Sequence, residues 1–241
     1  GRGDIGEARR IIARKSNLPA VCGRVCAKEL QCEGHCVLNK ANKPIKVGTM
    51  ERFIADFAYE MELPLEKVPQ KTRGKVAVIG SGPAGLTVAG DLAKEGFAVT
   101  VYEALPEPGG IMLYGIPDFR LPKEVVRREV ALIEAMGAKF VTGCMVGPDI
   151  TVDQMMEQGA DAVFIGTGTA VSRELDLPGK ELEGVIQSSY LLRMNALHNE
   201  GQLGRDEVPV KPGDRVLVIG AGNVGIDAAR TAVRLGAAPV A

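Results

Sequence analysis

Four of the five cysteines fall within a short run, Cys22-Gly-Arg-Val-Cys26-x5-Cys32-Glu-Gly-His-Cys36. Thiols crowded this closely suggest metal or redox work rather than disulfides in a reducing compartment. Zinc knuckles more often place two residues between their cysteines. Four thiolates at this spacing suit an iron–sulfur cluster, whose cubane is usually held by four cysteines. Zinc and unliganded thiols are the alternatives that spacing leaves open. His35 is read as an exposed group or a neighbour of the metal rather than a ligand. Cys144 stands alone and is read as a small buried hydrophobe.

A second kind of chemistry is written in glycine. Gly80-Ser-Gly82-Pro-Ala-Gly85 is a G-x-G-x-x-G turn between an apolar run and a helical pattern. Gly80 makes the tight turn, Gly82 lets backbone approach a pyrophosphate, and Gly85 lets helix and strand pack closely. The helix N-terminus offers free N–H groups to the phosphates. Glu103 lies 18 residues past Gly85, where a carboxylate can accept hydrogen bonds from both ribose hydroxyls of an adenosine. Gly220-Ala-Gly222-Asn-Val-Gly225 repeats the turn. The residue that would choose between NAD and NADP lies about 20 positions further on, so that choice is not readable here. Two such folds argue for two dinucleotides, one a held flavin and one an exchangeable nicotinamide. The stretch Pro108 to Pro117, with its paired glycines, would let backbone run against a bulky planar cofactor. A flavin takes a hydride and can release electrons singly.

The elements that must position these residues follow from the pattern. Residues 1–60 read as helical: Asp4 can cap a helix carrying Ile5, Ala8, Ile11 and Ile12 on one side. A loop with Pro44 and Gly48 follows the cysteines, then a helix over roughly 50–60. Residues 61–74, with two prolines and five charges, read as a linker. From Lys75 the pattern is α/β. Buried strands are expected at 76–79, 99–102, 162–165 and 215–219. Helices are expected at 83–95 and 122–136, with a capping box from Thr151 to Gln154. The strand–turn–helix unit occurs twice, and the chain stops where its second copy should begin another strand.

Composition narrows the partners. At 241 residues, one or two domains are expected. The net charge of −1 argues against a nucleic-acid surface. No run of 18 apolar residues predicts a membrane span, and no apolar signal-peptide core stands near the N-terminus. A cytoplasmic location is the expectation.

Together, five stretches resemble one flavoprotein family: Leu18-Pro-Ala-Val-Cys-Gly-Arg-Val-Cys26, Cys32-Glu-Gly-His-Cys36, Val47-Gly-Thr-Met-Glu-Arg-Phe53, the Gly80 turn, and Gly109-Gly-Ile-Met-Leu-Tyr-Gly-Ile-Pro-Asp-Phe-Arg-Leu-Pro122. The family contains the glutamate synthase small subunit, the N-terminal half of dihydropyrimidine dehydrogenase, and the large subunit of the electron-bifurcating NADH-dependent ferredoxin:NADP oxidoreductase. The resemblance runs essentially end to end. It implies a helical iron–sulfur segment (1–60), a linker (61–74), a Rossmann-like FAD domain (75–205) and the start of an inserted NAD(P) domain (206–241). It implies FAD contacts from Gly80, Gly82, Pro83, Ala84, Gly85, Glu103, Gly109, Gly110, Ile111, Arg120 and Val146. Gly222, Asn223 and Val224 would meet the pyrophosphate of NADPH or NADH. For 4Fe-4S clusters it implies ligands at Cys26, Cys32, Cys36 and Glu51, not at Cys22. That differs from the single four-cysteine cluster suggested by spacing, and the family pattern is preferred.

The upstream cysteine run of the family is absent, so neither cluster could be fully ligated by these residues, and the chain reads as part of a longer polypeptide. The implied activity passes electrons from NAD(P)H through FAD to the clusters and a partner: a glutamate synthase large subunit, or ferredoxin in the bifurcating alternative. A non-catalytic scaffold that retains the fold is the third reading. Hydride transfer requires no acid–base side chain, so no catalytic acid or base is expected.

Overall fold

The computed structural model describes residues 3–63, 68–169, 171 and 176–241. It opens with three helices, α1 (Ile5–Ala13), α2 (Pro19–Val25) and α3 (Val47–Glu60). Asp4 caps α1 as expected, its Oδ1 accepting from the Glu7 N–H at 2.9 Å. Helix α3 begins at Val47, earlier than the pattern suggested, so Gly48 lies in its first turn rather than in a loop. Glycine is required there by close packing. A Cβ on Gly48 would sit 1.8 Å from the Lys28 side chain, which crosses the helix start there. Part of the expected linker, residues 64–67, lies outside the described residues.

An α/β unit follows: β1 (Lys75–Ile79), α4 (Pro83–Lys94), β2 (Ala98–Tyr102), α5 (Ile111–Tyr114), α6 (Lys123–Ala135), β3 (Lys139–Val141), α7 (Val152–Glu157) and β4 (Ala162–Ile165). Every strand pair is parallel, in the order β3-β2-β1-β4. Ile79 lies level with Tyr102 on one side and with Ile165 on the other. The chain runs outward from β1 to β2 and β3, then returns to β1's other side with β4. The C-terminal end of β1 is therefore a topological switch point, the usual place for a ligand crevice in such sheets.

The core lies between the sheet and helices α4 and α6, around Val78, Val101, Leu86, Val126 and Ile133, each fully buried. Helix α2 joins that same core through Leu18 and Val21. The capping box on α7 is present, Thr151 and Gln154 satisfying each other's backbone N–H groups.

Two strand expectations need correction. Strand β4 was expected to be buried, yet Ile165 is 65 % exposed, because β4 forms an edge of the sheet. Residues 215–219 were expected to repeat β1. Among the described residues they form one parallel bridge, Val216 to Val240, extended by Val218 N–H to the Ala241 carbonyl. Helix α8 (Ser188–Asn199) packs on α9 (Asn223–Arg234), which follows that short stretch. Strand β3 and helices α5 and α8 were not anticipated.

Candidate functional site: two glycine cradles and a thiol-bearing helix

At the end of β1, Gly80 adopts φ +91°, a conformation that L side chains rarely take. A Cβ there would also lie 2.5 Å from the Gly166 carbonyl oxygen. Gly85 is equally constrained: its Cβ would stand 1.9 Å from the Gly80 carbonyl, so α4 can press against β1 only with glycine there. Gly82 differs. Its backbone is ordinary, φ −68° and ψ −176°, and a Cβ would meet nothing within 4 Å. Neither conformation nor packing demands glycine at that position. What glycine leaves there is open space over the N-terminus of α4, where no side chain caps the helix and Pro83 and Ala84 are exposed. Uncapped N–H groups beneath open space fit a pyrophosphate.

Glu103 follows β2 and is 7 % exposed. Its Oε2 accepts from the Ser81 N–H (2.9 Å) and from the Ser81 hydroxyl, while its Oε1 accepts from Leu105 N–H at 2.9 Å. Each carboxylate oxygen has two acceptor sites, so Oε1 has one left for a ligand hydroxyl, where the sequence suggested two contacts. The fully buried Ser81 also accepts from the Gly109 N–H at 3.0 Å. Gly110, at φ +52°, comes so close to the turn that a Cβ would lie 2.7 Å from Gly82 Cα. Ile111 begins α5 beside this glycine pair and is 59 % exposed. Val146 packs with Ala77, Ile79 and Met155 beneath the same sheet end. Cys144, read as buried, is half-buried, with its N–H on the Glu103 carbonyl at 2.9 Å.

The second turn repeats the first. Gly220 has φ +118°, a Cβ on Gly225 would lie 2.1 Å from the Gly220 carbonyl, and Gly222 again opens onto free space at an uncapped helix start. Asn223 and Val224 are exposed there. Arg120 is engaged with the second unit: its Nη1 donates to Asp227 Oδ2 on α9 at 2.6 Å. Phe119 sits against the guanidinium groups of Arg230 and Arg234, each 4.1 Å from its ring centroid. Residues 119–120 thus tie the first nucleotide unit to the second.

The cysteines are spread over α2 and the loop after it. Cys22 lies on α2 and Cys26 caps its end. Burial pushes the Cys22 thiol up to about 12, and neighbouring Cys26 and Glu51 add to that. Backbone hydrogen bonds from Ile45, Leu38 and Asn39 pull the Cys36 thiol down, which favours its thiolate. Cys32 and His35 are exposed. Burial raises the Glu51 carboxyl, opposed by Lys28. Among the described residues no three His, Cys, Asp or Glu side chains converge as a metal site. Cys26, Cys32, Cys36 and Glu51 nonetheless lie at the end of α2, in the loop after it and at the start of α3, and thiolate and carboxylate donors suit iron–sulfur ligation completed by ligands from elsewhere.

Sequence reasoning missed Ser81, which occupies a variable position of the glycine motif, and Asp227, whose partner is 107 residues away. It also missed Glu129, an acid on the buried face of α6. No local pattern marks these three.

Residues 1–63 match the dihydropyrimidine dehydrogenase domain II family, a 4Fe-4S cluster domain, and residues 74–241 match the pyridine nucleotide-disulphide oxidoreductase family. The glutamate synthase [NADPH] small chain of Halomonas elongata is 40 % identical over 99 % of this chain and 51 % of its own length. The corresponding Escherichia coli small chain is 38 % identical over 98 % of this chain and 50 % of its own. The chain thus spans about half the length of these relatives. Among solved structures, Mycobacterium tuberculosis FprA in complex with NADPH is similar at TM-score 0.56 and 29 % identity, over 66 % of this chain and 36 % of that one.

Proposed function

Because the chain belongs to the pyridine nucleotide-disulphide oxidoreductase family, we propose that it is the nucleotide-handling part of an NAD(P)H-dependent flavin and iron–sulfur oxidoreductase of the glutamate synthase small-chain type. The observation that carries this is the pair of cradles. Each turn places a glycine, Gly82 or Gly222, at an uncapped helix start where a Cβ would meet nothing within 4 Å. The first, with Glu103 beside it, is assigned to FAD, and the second to NADPH or NADH. A bound flavin supplies the conversion of a hydride into single electrons.

The residues divide the work. Gly80, Gly82, Pro83, Ala84 and Gly85 offer backbone N–H groups and room to the FAD pyrophosphate. Glu103 takes one ribose hydroxyl on Oε1. Gly109, Gly110 and Ile111 cover the cradle, and Val146 packs below it. Gly222, Asn223 and Val224 do for the nicotinamide nucleotide what the first turn does for FAD. Arg120 holds α9 through Asp227, which keeps the second cradle at a fixed place relative to the first. Cys26, Cys32, Cys36 and Glu51 are assigned to 4Fe-4S ligation together with ligands from outside residues 22–51.

The domain division proposed is 1–60, 75–205 and 206–241. A large glutamate synthase subunit is the proposed electron acceptor and the cytoplasm the proposed compartment. Among the described residues no helix is long and apolar enough to cross a membrane. The test is direct. The full-length protein should purify yellow with FAD and iron, and should oxidise NADPH with an artificial acceptor and no partner. Colourless protein that fails to bind added FAD would overturn the reading.

A further inference from the structure

The thiol-bearing helix α2 is attached to the nucleotide unit by polar contacts that apolar packing does not require. Its N-terminus has no capping side chain of its own. Glu129, 3 % exposed on α6, supplies one from a distance: its Oε1 accepts from the Ala20 N–H at 2.6 Å, and the carboxylate also accepts from Val21 N–H. Arg24 and Arg9 lie close enough to offset its charge. Just before α2, the Asn17 side chain, 8 % exposed, is held by α4. Its Nδ2 donates to the Thr87 carbonyl (3.1 Å) and to Asp91 Oδ1 (2.7 Å), and its Oδ1 accepts from Lys94. Helix α4 makes room for it: a Cβ on Gly90 would lie 2.7 Å from Asn17 Cγ.

Helix α4 starts at the Gly82 cradle, and α6 directly follows the glycine-pair stretch that covers it. The start of α2 is thus fixed to both helices that border the first cradle. Apolar contacts through Leu18 and Val21 would tolerate sliding, since burial is non-directional. Buried hydrogen bonds do not, because a shifted register leaves a desolvated carboxylate or N–H unpaired.

We propose that Asn17 and Glu129 are positioning residues that hold α2, which ends at the assigned ligand Cys26, at a single register on the flavin unit, and so set the separation between that ligand and the flavin. The structural part of this stands on the contacts alone, and its consequence for electron transfer rests on the function proposed above.

The test uses the full-length holoprotein with Glu129→Leu, Glu129→Gln and Asn17→Ala, and two readouts. Hydrogen exchange reports docking of residues 19–26, and stopped-flow absorbance separates flavin reduction by NADPH from electron passage to the iron–sulfur centres. In Glu129→Leu and Asn17→Ala, exchange at 19–26 should rise about tenfold, with β1 and β2 still protected. Flavin reduction should stay within about twofold of wild type, while the later electron passage slows by about tenfold or more. Glu129→Gln keeps an acceptor and should restore both. Wild-type exchange and wild-type electron passage in Glu129→Leu and Asn17→Ala would overturn the proposal, as would a Glu129→Gln variant that behaves like Glu129→Leu. If Glu129→Leu loses global protection, Asn17→Ala carries the same two outcomes. A wild-type protein without flavin or iron would overturn the proposed function instead, while exchange at 19–26 would still judge the docking.

Discussion

Substituting Gly82 separates fold from function. A Cβ at Gly82 meets nothing within 4 Å, and its φ of −68° suits any residue. The intrinsic penalty of Gly82→Ala is then that of a poorer helix N-cap, about 0.5–1 kcal/mol. That corresponds to a fall in Tm of roughly 1–4 °C for a domain of this size. The effect on FAD is much larger, because the methyl occupies the place where backbone must approach a pyrophosphate. A loss of about 3 kcal/mol, or roughly 100-fold in affinity, is expected for Gly82→Ala. Gly82→Val should abolish FAD retention altogether. Gly85→Ala is the contrasting case, since its Cβ would stand 1.9 Å from the Gly80 carbonyl. Overpacking against backbone there should cost about 1–3 kcal/mol of stability. FAD content after gel filtration, fluorescence titration of the apoprotein with FAD, and thermal unfolding read all three variants. Full FAD occupancy in Gly82→Val, at an unchanged Tm, would show that the open space serves something other than a nucleotide.

Gly222→Val should abolish NADPH oxidation while FAD stays bound, since the turns lie on separate helices; joint loss of both cofactors, seen by absorbance, would contradict the two-cradle reading. Glu51→Ala in the full-length protein should lower iron content or make one centre oxygen-labile, and Glu51→Cys should keep iron with a changed EPR signal or midpoint potential. Arg52→Ala should do neither, and wild-type behaviour of both Glu51 variants would reduce Glu51 to a carboxylate at the start of α3. Burial raises the Glu129 carboxyl from 4.5 to about 7, so the folded state binds the proton more tightly than the unfolded one. Its contribution to stability is complete below about pH 4.5 and is lost as pH rises through 7. Urea unfolding between pH 4.5 and 8 should show that decline, and Glu129→Gln should flatten it.

Much of the first cradle was legible because its requirements are local. A tight turn, an approach point and a packing point need glycine at fixed offsets, and the strand before them is a continuous apolar run. The helix after it shows its period directly. Strand β3 was not legible, because Lys139-Phe-Val141 is three residues long and its pairing with Thr100 to Tyr102 is decided by the sheet. The exposure of Ile165 was hidden for a related reason: an apolar run does not say whether a neighbour covers it. Arg120 shows a different limit. Its place in a specific motif suggested a cofactor contact but not its pairing with Asp227, which is set by how α9 docks.

The Ser81–Glu103 arrangement bears on how the protein behaves when stripped of its nucleotide. A buried carboxylate that depended on a ribose for its donors would become a bare, desolvated charge on cofactor loss, a state that costs several kcal/mol per ion. Glu103 instead draws three donors from Ser81 and Leu105 within its own chain. Deflavination should therefore leave this corner electrostatically quiet, with the Gly109–Gly110 loop still tethered through Ser81. A cradle that keeps its shape when emptied can be refilled, so the apoprotein is expected to accept FAD again, or modified flavins, without first unfolding.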